Sequence, residues 1–202
     1  MAEMRIPVLV VSNHLLLPRL DVYYPVIIGL SNLAVQKSIN STILDLVYRM
    51  INEQGYYQNP ATQITGSYEL KTNERGILSI SIIIYSFSGG AHGITVTKSL
   101  TIDVQTGQVY QLKDLFKPGV DYVKRLSDII KLQIIQRNIP LLVEFKSISN
   151  DQDYYIADKA LVIYFQLYEL TAYVYGFQYF PISVYEIQDI VNEQGPLGRM
   201  IY

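Results

Sequence analysis

The sequence predicts an α+β fold in which antiparallel sheets carry packed helices. Three observations point there. Between Ser79 and Thr97, a β-branched and aromatic run from Ile80 to Phe87 meets the turn Gly89-Gly90-Ala91-His92-Gly93. An alternating run, Ile94-Thr95-Val96-Thr97, then continues through Leu100 and Ile102, which is a hairpin pattern. Apolar residues recur at helical spacing twice, from Val35 to Met50 and from Tyr122 to Gln136. Strand-like runs return after residue 150, at Tyr154 to Ala157 and Leu161 to Tyr168. Helix, sheet, helix and sheet in that order suggest one α+β body over 1–202, with two lobes (about 1–60 and 61–202) as the alternative division.

Taken in order, Ile6 to Val11 reads as a first strand. Leu15 to Tyr24 reads as extended chain, broken by Pro18, which suits a sheet edge, and closed by Pro25. Ser31 or Asn32 is a plausible N-cap for the first helix, whose apolar positions Val35, Ile39, Ile43, Leu46/Val47 and Met50 form one stripe ending near Gly55. Gln63 to Leu70 reads as a strand, Thr72 to Gly76 as a turn, and the hairpin follows as the expected centre of the sheet. Asp103 to Gly107 is a tight turn into a short strand at Val109-Tyr110. Gly89, Gly90 and Gly93 are expected to let the hairpin turn adopt positive φ.

After Pro118-Gly119 the second helix should end before Pro140. Leu141 to Ile148 is ambiguous between a strand and a helix end, and Ser149 to Asp153 is a polar turn. Leu161 to Tyr168 carries large side chains on both faces, so a central strand is expected. Tyr173 to Gly176 reads as a loop, and Tyr179-Phe180-Pro181 as a strand end. Ser183 with Glu186 has the form of a capping box for a last helix from Val184 to Val191. Asn192 to Tyr202 reads as a tail.

Composition narrows the function. Half the residues are hydrophobic and 17% are charged, enough for a sizeable core. Net charge is −2, without the clustered Lys and Arg that a nucleic-acid footprint needs. There is no Cys, which removes disulfides, thiolate metal sites and a Cys nucleophile together. No apolar run reaches the roughly 18–20 residues that span a bilayer, and no signal-peptide pattern opens the sequence. The compartment stays open: cytoplasmic by default, cell-surface or extracellular if this is a mature segment. Tyr is the unusual residue: there are 18, and nine of them follow residue 150.

His92 sits where backbone can approach a ligand. A metal site needs three or four ligands, and the only other histidine is His14. No nucleophile-elbow pattern supports a triad of Ser88, His92 and Asp103. The expected role of His92 is a hydrogen bond to its own turn. Ser88 to Gly93 is not a phosphate loop, since no Lys-Ser/Thr ending or helix follows. Glu169 is the carboxylate best placed for glycoside chemistry, but no second one accompanies it, so a loop-fixing bond is the expected role. Asp103 and Asp114 read as turn and cap residues. The zone of Tyr164, Tyr168, Tyr173, Tyr175, Phe177, Tyr179 and Phe180 either closes the core or supplies a recognition surface. No cofactor is expected.

Several motifs carry a resemblance. Ser88-Gly89-Gly90-Ala91-His92, Asp103 to Gly107, Leu112-Lys113-Asp114-Leu115-Phe116, and Phe165 to Leu170 with Tyr173 and Gly176 resemble the extracellular domain of RsiV-type anti-sigma factors. A similar module precedes the catalytic domain of PdaC-type peptidoglycan deacetylases. Tyr24-Pro25-Val26 and Ile39-Asn40 look like the first half of that module. The resemblance, covering about Val22 to Val191, implies an RsiV-like fold without a catalytic centre of its own. In RsiV-type proteins it implies lysozyme as the ligand. Ala172 stands where the family usually has Pro.

The leading expectation is therefore a non-enzymatic module that binds a protein or cell-wall glycan ligand through His92, Tyr168, Glu169, Tyr173, Tyr175 and Tyr179. Gly89, Gly90 and Gly93 would shape the turn. A self-associating homo-oligomer of a bacterial surface or spore layer is the second reading. A cell-wall glycan hydrolase acting through Glu169 is the third.

Overall fold

The computed structural model describes residues 7–201, in two compact units that divide between Val109 and Tyr110. The division considered near residue 60 falls inside the first unit, in the loop after its helix.

Among the described residues, the first unit is a five-stranded sheet with one helix. Its strands are β1 (Leu9–Leu17), β2 (Leu20–Ile28), β3 (Gln63–Glu74), β4 (Ile77–Phe87) and β5 (Ile94–Asp103), and they lie in sequence order across the sheet. Ile6 of the expected first strand lies outside the described residues. β1 and β2 form a hairpin around Pro18-Arg19, with Leu17 opposite Leu20. The meander β3-β4-β5 is antiparallel throughout, as its alternation predicts. The hairpin is thus central only through β4, because β5 ends the strand order and β3 stands in the middle. β2 joins β3 in parallel through three pairs, Leu20↔Ile64, Asp21↔Thr65 and Val22↔Gly66, a junction the sequence pattern does not announce.

Helix α1 (Leu33–Glu53) forms where its periodicity places it. The Asn32 side chain accepts from the N–H groups of Ala34 and Val35, two donors a helix start leaves unpaired. Ile39, Ile43, Leu46, Val47, Met50 and Ile51 are buried with Leu78, Ile80, Ile82 and Ile84, the even-numbered face of β4. Asn40 clamps helix to sheet. Its amide accepts from Ile27 N and donates to Ile27 O, both at 2.8 Å, much as another strand would. Asp103 is a buried turn residue whose Oδ1 accepts from Gln105 N and Thr106 N.

The second unit has a three-stranded antiparallel sheet, β6 (Tyr154–Ala157), β7 (Ala160–Phe165) and β8 (Gln178–Ser183), in that order. β7 is central, as its two apolar faces predict. Helix α2 (Tyr122–Gln136) starts at Asp121, whose side chain accepts from Lys124 N. It guards the open edge of β8: Gln133 donates to Pro181 O and Arg137 to Tyr179 O. Asp114 caps a 3-10 turn over Leu112–Leu115 by accepting from Gln111 N. Leu141 to Ile148 forms neither regular element; it has one bridge, Leu141↔Thr171.

Two expectations fail at the end of the chain. The helix expected over Val184 to Val191 is a series of turns. Its apolar spacing is real, with Val184, Ile187 and Val191 fully buried. The backbone groups a helix would need are taken elsewhere, however: Lys117 N donates to Ile190 O, and Asn192 N donates to Leu115 O. The expected tail instead holds a short helix, α3 (Pro196–Ile201), which buries Leu197 and Met200.

Candidate functional site

In the first unit, the β4–β5 turn holds His92. Its Nδ1 donates to Gly93 O at 2.9 Å, the local bond expected of it. Gly89 and Gly90 have φ of +90° and +107° with open space around them, so conformation alone calls for glycine. Gly93 is different. Its φ is not positive, but a Cβ there would strike Ser86 O and the Tyr85 ring, so close approach of two backbones requires it.

The candidate tyrosines belong to the second unit, where the turn after β7 separates them into two groups. Tyr164 is fully buried, and its ring lies 5.8 Å from Tyr155 and 5.9 Å from Tyr179. Phe177 also packs on Tyr179, at 6.1 Å. Tyr179 is thus part of an aromatic layer on the sheet. Beyond Phe165 the chain leaves the strand, and Tyr168 adopts φ +67°, an uncommon value for a residue with a side chain. The residue is 49% exposed, and its ring lies 5.6 Å from that of Tyr173.

A web of hydrogen bonds fixes that turn. Gln166 N donates to Glu169 Oε2 at 2.7 Å, while Glu169 N donates back to Gln166 O at 3.1 Å. The buried Gln152 amide donates to Glu169 Oε1 and to Tyr164 O. Gln166 Nε2 reaches Asp153 Oδ2 at 2.7 Å. Both oxygens of Glu169 therefore accept bonds that shape the loop. Next comes a 3-10 turn, Tyr173–Tyr175, closed by Gly176 N donating to Tyr173 O. Val174 is 80% exposed and Tyr175 52%. Leu142 N donates to Leu170 O, which brings exposed Leu142 and Val143 to the same loop. These two aliphatic residues escaped sequence reasoning because their segment has no periodicity to place it.

Tyr168, Val174, Tyr175 and Leu142 are thus exposed around this loop, and half-buried Tyr173 lies beside Tyr168. Such surfaces bind macromolecules by apolar contact and by phenolic hydrogen bonds. Among the described residues, no group of three or more His, Asp or Glu stands ready to hold a metal ion. No described helix is long and apolar enough to cross a membrane.

Comparison with known proteins adds two family profiles and several relatives. The profile "Deacetylase PdaC" matches residues 14–95, and "Protein of unknown function (DUF3298)" matches residues 113–185. Each match falls inside one of the two units. The anti-sigma-V factor RsiV of Bacillus subtilis (strain 168) is 30% identical over 188 residues, 85% of this chain and 65% of that protein. The peptidoglycan-N-acetylmuramic acid deacetylase PdaC of the same organism is 27% identical over 139 residues, 65% of this chain and 30% of that protein. The chain thus spans less than two thirds of either relative. A crystal structure of a DUF3298-family member from Bacteroides fragilis NCTC 9343 superposes with a TM-score of 0.68, covering 96% of this chain and 95% of that one at 13% identity. One from Pseudomonas aeruginosa PAO1 gives 0.67, covering 92% and 94% at 14% identity. At such identities these two establish the α+β fold alone.

Proposed function

This chain carries an RsiV/PdaC-type domain, and on that premise we propose that it is a non-enzymatic module that recognises a protein ligand. The patch of Tyr168, Tyr173, Val174 and Tyr175 in the second unit makes the contact. The observation that carries this reading is the exposure of Tyr168, on a turn held by Glu169, Gln152 and Gln166, and of Val174 and Tyr175 on the 3-10 turn that follows, with half-buried Tyr173 beside Tyr168. A fixed backbone lowers the ordering cost of binding, so the buried rings act at nearly full strength. Glu169 positions the loop, and Tyr179 supports it from the sheet. His92 belongs to the other unit, where it shapes its own turn. The ligand class is the one that the resemblance to RsiV-type domains implies: a lysozyme-like protein first, a cell-wall glycan second.

Calorimetric titration with lysozyme and, separately, with soluble peptidoglycan fragments tests it. Saturable binding of the protein ligand is expected. Truncating a central tyrosine removes about 2 kcal/mol at a hot spot, so Tyr168→Ala or Tyr175→Ala should weaken binding roughly thirtyfold. Binding to neither ligand, or binding that ignores both substitutions, overturns the reading.

A further inference from the structure

Sheet edges attract other strands, and natural proteins blunt them with charge, proline, bulges or a cover. Most edges here are blunted in one of these ways. The β8 edge is covered by Gln133 and Arg137, β5 carries Lys98, and β6 is only four residues long. β1 has none of these devices. It runs nine residues without a charge of fixed sign, a proline or a register break. Six of the nine are aliphatic, and Leu9 and Leu16 are 65% and 64% exposed. Among the described residues no strand lies on its outer side.

The hairpin geometry sets which backbone groups face out. A two-residue turn closes on a bonded pair, here Leu17↔Leu20. Bonded and non-bonded pairs alternate, so Leu9, Val11, Asn13 and Leu15 also bond to β2. The N–H and C=O groups of Val10, Ser12, His14 and Leu16 then point outward. Two observations agree. Pro25, which has no N–H to give, lies opposite Ser12. The His14 N–H is satisfied locally, by Asn13 Oδ1 at 3.0 Å.

The sequence of this edge, LVVSNHLLL, is chemically symmetric about Asn13. Turned antiparallel on itself, it sets Leu9 opposite Leu17, Val10 opposite Leu16, Val11 opposite Leu15 and Ser12 opposite His14. Apolar meets apolar at both ends, and polar meets polar in the middle. The same register matches the outward groups: Val10↔Leu16 becomes a bonded pair, and Ser12↔His14 does so as the His14 N–H exchanges Asn13 Oδ1 for the Ser12 carbonyl of the second copy. We propose that the outer edge of β1 pairs with β1 of a second copy of this chain, across a two-fold axis at Asn13. The two first-unit sheets would then continue through each other.

A cysteine scan tests this in a chain that has no cysteine. At the axis, residue 13 faces its own copy in a non-bonded pair, with Cα atoms about 4.5 Å apart, within disulfide reach. Asn13→Cys should form a covalent dimer on mild oxidation; Ser12→Cys, which faces His14, should not. In light scattering across a concentration series, the parent should dimerise. Ser12→Pro removes an outward N–H and leaves the β2 bonds intact, and Leu16→Lys charges the edge. Each should weaken the dimer about tenfold or more, with circular dichroism unchanged. If Ser12→Pro fails to fold, Leu16→Lys and the cysteine pair still decide. A monomer through the millimolar range overturns the proposal. So does a dimer that ignores Leu16→Lys, or one in which Asn13→Cys cross-links no better than Ser12→Cys.

Discussion

Gly66→Ala is the substitution that probes how the first unit's sheet is joined. Gly66 sits in β3 between Val22 of β2, its parallel partner, and Ile84 of β4. A Cβ built there would lie 2.6 Å from Ile84 Cδ1, 2.9 Å from Val22 Cγ1 and 3.1 Å from Val22 Cγ2. Both neighbours are fully buried. The Ile84 methyl is the far end of a flexible side chain and can swing aside. Val22 is branched at Cβ and stiff at χ1, so it cannot easily turn both methyls away. Overpacking of this kind costs about 1–3 kcal/mol, while the loss of glycine's unfolded-state freedom returns about 0.5–1 kcal/mol. A net loss of about 1–2 kcal/mol follows. Urea unfolding monitored by circular dichroism measures it, with an unchanged slope confirming that the folded state is the same. The clash has a partner, so a cycle with Val22→Ala sharpens the test. The double variant should cost at least about 1 kcal/mol less than the two single losses together. A Gly66→Ala protein as stable as the parent, or losses that simply add, would refute the idea that β2 and β3 approach closely here.

Asn40→Ala strips Ile27 of both its side-chain partners, leaving a backbone donor and acceptor at a fully buried residue; about 1–3 kcal/mol should be lost in the same assay, and Asn40→Asp should restore only the accepting half. Ser127 Oγ donates to Val123 O at 2.6 Å and accepts from the buried Ile148 N, so Ser127→Ala should cost about 1–2 kcal/mol and speed amide exchange at Ile148 above its neighbours in α2. The Tyr122 phenol donates to Asn150 O and is held above its ordinary value of 10.0, first by burial and then by the carboxylates of Asp151 and Asp114. Because the folded pKa is raised, its stabilisation is complete below the unfolded value and fades as pH rises through the folded one. Tyr122→Phe should therefore gain on the parent only in alkali, and a stability difference that stays flat through high pH would contradict this.

What the sequence made legible tracks how local each signal is. α1 could be read because an N-cap at Asn32 and a stripe from Ile39 to Met50 agree, and packing against β4 uses that same stripe. The parallel β2–β3 junction joins segments separated by a helix, so no local pattern reports it. Its trace is Gly66, a glycine inside a strand run, which signals close backbone approach. The turns over Val184 to Val191 are the opposite case. A capping-box pattern and helical apolar spacing were both present, yet Phe116↔Val191 pairing and the bonds at Ile190 and Asn192 claimed the backbone first. α3 was missed although Pro196 stands at its first position, where proline is favoured, because six residues are too few for periodicity to show.

The tyrosine cluster was legible as a cluster but not as two surfaces. If β7 ran on to Tyr168, alternation would place Tyr164 and Tyr168 on one face of the sheet. The strand stops at Phe165 instead, and the bonds between Gln166 and Glu169 fold the next residues into a turn. At φ +67° Tyr168 leaves the face that Tyr164 occupies and stands beside Tyr173. Tyr155, Tyr164 and Tyr179 are left to build the sheet's aromatic layer, while Tyr168 and Tyr175 are exposed and Tyr173 is half-buried beside Tyr168. Glu169 therefore matters through geometry. Its carboxylate sets the turn, and the turn decides which tyrosines join the sheet's aromatic layer and which stand outside it.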